Sequence, residues 1–81
     1  MREISDIYLI SLLKLKGHRP ARVRSEQRRV VWEFAPSEEL EAALAAYFDG
    51  TEMVSALAYA GQLRNVKGEV MNAREVDAVR S

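Results

Sequence analysis

Cysteine is absent from this 81-residue chain. That removes disulfides, thiolate zinc sites and cysteine nucleophiles together, and it suits a reducing compartment. Histidine occurs once, as His18, so a histidine-rich metal centre is excluded as well. Net charge is missing too: 12 basic side chains balance 12 acidic ones. No apolar run is long. The stretch from Ile7 to Leu15 is broken by Ser11 and Lys14, far short of the ~20 residues a spanning helix needs. It has neither a basic leader nor a small-residue cleavage site, so it does not read as a signal peptide. The expectation is a soluble, cytoplasmic protein with no membrane partner.

Catalytic machinery is equally sparse. Gly17, Gly50, Gly61 and Gly68 are scattered, and none opens a helix after a strand as a phosphate loop requires. The serines have only His18 to draw on and no spacing that supplies an orienting group. Glu38, Glu39 and Glu41 sit at a helix start, where capping accounts for them. The chain therefore reads as a non-enzyme without metal or cofactor.

What is present is a single small domain. Hydrophobic residues make up 48% of the chain, too many for a disordered segment. A domain of this size buries only about 60% of its unfolded surface, which makes extra burial by oligomerisation attractive. The core is expected to span about residues 4–72, with 73–81 either extending the third helix or fraying as a tail.

Ser5 or Asp6 can cap a first helix, in which Tyr8, Leu9, Leu12 and Leu13 recur at helical spacing. Ile7 and Ile10 extend its apolar surface round most of the cylinder, the mark of a central helix. Gly17 supplies the left-handed residue that ends it. After Pro20 the period changes to two. Ala21 and Val23 alternate with Arg22 and Arg24; Val30, Trp32 and Phe34 then alternate with Arg29, Val31 and Glu33. Two such runs around Ser25-Glu26-Gln27 predict an antiparallel hairpin. Ser37 caps a second helix whose stripe is Leu40, Ala43, Leu44, Tyr47 and Phe48, and Gly50 ends it. Thr51 caps a third helix from about Glu52 to about Asn72, with Met53, Ala56, Leu57, Ala60, Leu63, Val66 and Val70 as its core stripe. Val76 and Val79 keep the helical spacing without a clear partner. The fold class is α+β, in the order αββαα, with helices packed on one face of a two-stranded hairpin.

The runs Ser5-Asp6-Ile7-Tyr8-Leu9, Leu12-Leu13, Leu15-Lys16-Gly17-His18 and Val30-Val31-Trp32-Glu33-Phe34 resemble a small uncharacterised domain family of bacteria and their phages. The likeness continues through Ser37-Glu38-Glu39-Leu40, Tyr47-Phe48-Asp49-Gly50 and Ala58-Tyr59-Ala60 to Leu63-Arg64 and Lys67. It implies the αββαα layout and a home on a phage or mobile element, within a bacterial cell or a phage-infected host. No activity attaches to that family, so the resemblance implies no functional residue.

Charge, though balanced, is unevenly placed. Residues 1–35 hold eight bases against four acids, whereas residues 36–62 hold five acids and no base. Lys14, Lys16, Arg19, Arg22, Arg24, Arg28 and Arg29 crowd into sixteen residues with only Glu26 opposing. Strand alternation turns Arg22, Arg24 and Arg29 outward together, giving an arginine ribbon. Lys16, Arg19, Arg22, Arg24, Arg28 and Arg29 are therefore candidates for binding a partner protein or phosphates. The same ribbon also guards the open edges of a two-stranded sheet. His18 reads either as a residue suited to the helix dipole or as a ligand contact beside Arg19. The acidic second helix offers a complement to the ribbon of a neighbouring copy. Gly61, Asn65, Gly68 and Asn72 form one stripe of the third helix. They mark either a homodimer seam, a tight crossing by the first helix, or an ordinary exposed face. Two functions remain: docking on a protein partner, as inhibitors and accessory proteins of mobile elements do, or binding nucleic acid through the hairpin.

Overall fold

The computed structural model describes the backbone of residues 1–27 and 29–80; Arg28, Ser81 and the side chains of 75–80 lie outside the described residues. Chain order is β1 (Arg2–Ile4), α1 (Ile7–Leu15), β2 (Arg22–Glu26), β3 (Arg29–Phe34), α2 (Glu38–Asp49) and α3 (Ala56–Arg80). The fold is α+β with three helices and a three-stranded antiparallel sheet in the order β1-β3-β2. The expected αββαα order with a two-stranded hairpin lacks β1. Three residues are too few for a period-two pattern to stand out. Pairing reveals it: Ile4 lies opposite Trp32, Glu3 opposite Glu33 and Arg2 opposite Phe34. β2 meets β3 with Val23 opposite Trp32 and Arg24 opposite Val31.

Local chemistry sets the helix ends. The Asp6 carboxylate caps α1 by accepting from the Tyr8 and Leu9 N–H groups. Gly17, at φ 92°, stops it, with the His18 N–H reaching back to the Leu13 carbonyl. Ser37 Oγ accepts from the Leu40 N–H at the start of α2. Gly50, at φ 71°, closes that helix with bonds from its own N–H to Tyr47 O and from Thr51 N–H to Ala46 O. Thr51 is thus spent on finishing α2 and cannot start α3 at the expected place; Thr51 Oγ1 also donates to Ala46 O, 3.4 Å. Ser55 starts α3 instead, accepting from the Ala58 N–H at 3.3 Å. The helix then runs through the expected tail to Arg80, 25 residues and about 37 Å. Val76 and Val79 fall outside the described side chains.

The core gathers Ile4, Leu9, Ile10, Leu13, Val30, Trp32, Phe34, Leu40, Ala43, Leu44 and Val66, with Ile7, Tyr47, Val70 and Ala73 packed against it. The inner face of the sheet is therefore Val30, Trp32 and Phe34, as alternation requires. Five consecutive residues of α1, Leu9 to Leu13, are buried, which makes it the central helix. Ser11 tolerates that burial because its hydroxyl donates to the Ile7 carbonyl, 2.7 Å. Several apolar residues expected in the core are not there: Phe48, Met53 and Leu57 are 72%, 93% and 81% exposed, and Val23 and Ala56 are exposed as well. Met53 lies before α3 begins, and Leu57 is in its first turn.

Candidate functional site

Alternation along β2 and β3 turns Arg22, Arg24, Glu26, Arg29, Val31 and Glu33 to the outer face of the sheet, and β1 adds Glu3. The guanidiniums do not form one cationic plate there. Arg24 pairs with Glu3 and Glu26, and its Nε lies 3.8 Å from Glu33 Oε2. Arg22 Nε lies 3.7 Å from the same oxygen. Glu33 is three-quarters or more buried, and its Oε2 accepts no hydrogen bond among the described residues, so the two ion pairs are its compensation. Val31, opposite Arg24, is buried on this outer face; the arginine stem is its cross-strand neighbour. The count of one opposing acid failed because Glu3 and Glu33 reach the ribbon through strand pairing, not through sequence proximity.

The remaining ribbon residues separate. Lys16 caps the end of α1 and pairs with Glu52 at 2.5 Å. Arg19 lies in the loop before β2, and Arg29 opens β3; both are exposed. Arg28 is outside the described residues. Arg19 and His18 line a groove of about 510 Å³ together with Lys14, Pro20, Val23 and Glu69. Val23, expected to point into the core, is half-exposed at this groove because β2 is an edge strand. Inside the groove, Lys14 Nζ pairs with Glu69 Oε1, and Trp32 Nε1 donates to Glu69 Oε2 at 3.1 Å. This carboxylate holds α1, α3 and the sheet together.

The glycine stripe has room around it. A Cβ at Gly61 or Gly68 would meet nothing within 4 Å. A tight crossing of α1 over Gly61 is thereby corrected: the two helices do pack, but not on the glycines. Asn65 and Asn72 are exposed.

A second region, missed as a site in the sequence, forms where α2 passes to α3. Phe48, Met53 and Leu57 present their side chains to solvent there, and Val54 is exposed beside them. Phe48 meets Tyr47 edge-to-face, ring centroids 5.4 Å apart. Tyr47 and Tyr59 line a pocket of about 170 Å³ with Leu12, Gly50, Glu52 and Val54. Both hydroxyls are tied to the start of α1: Tyr47 Oη donates to Asp6 Oδ2 at 3.4 Å, and Tyr59 Oη donates to the Tyr8 carbonyl at 2.8 Å. Burial first, and then the Asp6 charge, push both phenols above their ordinary pKa. The signal available in the sequence was the crowding of Tyr47, Phe48, Met53, Val54, Leu57 and Tyr59 around two helix ends.

Among the described residues no group of three or more acidic or histidine side chains is placed to hold a metal ion, and no helix is long and apolar enough to cross a membrane. Neither a family model nor a curated protein nor a solved structure matches this chain.

Proposed function

We propose that this chain is a non-enzymatic binding protein that docks on another protein through the α2–α3 junction. The observation that carries the reading is the exposure of Phe48, Met53 and Leu57 within one short stretch. Large apolar side chains clustered on a surface mark interaction sites, and buried aromatic or aliphatic anchors supply most of the affinity at such sites. Of the acids of α2 and its exit, Glu41 is met by Arg2 and Glu52 by Lys16; the exposed Glu38, Glu39 and Asp49 steer a basic partner toward the anchors. With the resemblance noted above, the reading extends to a phage or mobile-element protein docking on a host factor.

The test is a photo-crosslinking residue placed at Leu57 or, as a control, at Arg22, in cells expressing the full chain. Position 57 should give a discrete adduct with a different protein and position 22 should not. No adduct from 57, equal adducts from both, or an adduct of twice the 9.2 kDa chain would overturn the reading.

A further inference from the structure

We infer that the groove at the end of α1, between the edge strand β2 and α3, binds a small organic phosphate through Arg19 and His18. The assignment is independent of docking at the α2–α3 junction. The groove encloses about 510 Å³, within the roughly 300–1,000 Å³ of clefts that take small molecules.

The charge in its lining selects an anion. Four charged or titratable side chains line it: Lys14, His18, Arg19 and Glu69. Lys14 and Glu69 cancel, because Glu69 Oε1 takes Lys14 Nζ and Oε2 takes the Trp32 indole N–H. The one acid of the lining is thus engaged at both oxygens. Arg19 pairs with no carboxylate among the described residues, and the His18 imidazole has no hydrogen-bond partner among them. An uncompensated guanidinium therefore sits beside an imidazole with an N–H to give. A guanidinium fork offers two parallel N–H groups and the imidazole adds another. A phosphate has three terminal oxygens for these donors, where a carboxylate has two.

The loop that carries both groups is held before any ligand arrives. Gly17 turns the chain at φ 92°, and the His18 N–H is fixed to the Leu13 carbonyl at 2.9 Å. Pro20 restricts its own backbone and that of Arg19 before it. Little freedom is left there to lose on binding. Pro20 and the half-exposed Val23 give apolar surface, and Gln62 of α3 an amide, to the organic part of the ligand.

The experiment titrates the isotopically labelled full chain with phenyl phosphate, benzoate, inorganic phosphate and benzylamine in turn, following backbone amide signals at constant ionic strength. Phenyl phosphate should shift Gly17, His18, Arg19, Val23 and Gln62 saturably. Benzoate and inorganic phosphate should bind there more weakly, and benzylamine should leave those signals in place. Arg19→Gln should weaken phenyl phosphate about tenfold, whereas Arg29→Ala, which removes an exposed arginine outside the groove, should not change it. Absence of saturable shifts, an equal response to benzylamine, or unchanged affinity in Arg19→Gln would overturn the site. Benzoate binding as tightly as phenyl phosphate would overturn the choice of phosphate, and inorganic phosphate binding as tightly would overturn the organic body.

Discussion

The outer face of the sheet and the α2–α3 junction present opposite solutions to an exposed surface. On the sheet, Arg22 and Arg24 are met by Glu3, Glu26 and Glu33 of the same chain. Charge is plentiful there, and that of Arg22 and Arg24 is already spent. At the junction, Phe48, Met53 and Leu57 stay largely exposed, and among the described residues the Asp6 carboxylate pairs with no base. A surface whose interactions close on themselves stabilises the fold, whereas one whose interactions stay open is available to another molecule. A count of like charges along a chain says little until strand register decides which acids stand beside them.

The largest effect is expected at Arg24, which three carboxylates share. Arg24→Ala leaves Glu3, Glu26 and Glu33 adjacent without their shared counter-ion, and should lower stability by about 1–3 kcal/mol. Urea unfolding measures it, and Glu33→Gln in the same background should recover part of the loss. An unchanged midpoint would mean that the sheet face is not held by its ion pairs. A smaller effect of opposite sign is expected on α3. Gly68→Ala should gain about 1 kcal/mol, because the helix interior favours alanine and the new Cβ meets open space. If light scattering instead finds a dimer that this change weakens, the stripe with Gly61, Asn65 and Asn72 is a seam after all.

At the junction, Phe48→Ser, Met53→Ser and Leu57→Ser should each alter stability by no more than about 0.5 kcal/mol, while together abolishing the partner adduct. A large loss of stability would mean that these side chains serve the fold. Alkaline pH gives the smallest effect. Tyr47 and Tyr59 hold their protons more tightly folded than unfolded. Their contribution is therefore complete below about pH 10 and fades as pH rises through the folded values. Tyr47→Phe should flatten the fall in thermal midpoint above pH 10, and an identical fall in both proteins would contradict it.

Much of the architecture was legible in the residues. Gly17 and Gly50 stop their helices because a left-handed residue is needed there, and Ser37 caps as a hydroxyl before two glutamates should. Val30, Trp32 and Phe34 share a face by alternation alone. β1 was not legible, since three residues carry no period. The start of α3 was misplaced because Thr51 and Ser55 are both capping residues, and only the structure reveals that Thr51 is committed to the end of α2. That error placed Met53 and Leu57 in the core. Their spacing suits a helical stripe, but a stripe is silent about whether the core extends far enough to receive it. The arginine ribbon was placed on the correct face, and its neutralisation was hidden in pairing between residues far apart in the chain.

The indole of Trp32 is the chain's one tryptophan, fully buried and bonded to Glu69. Intrinsic fluorescence therefore reports, without any label, whether α3 is seated on the sheet. Its emission should stay blue while that helix remains docked and turn red when the helix lifts away.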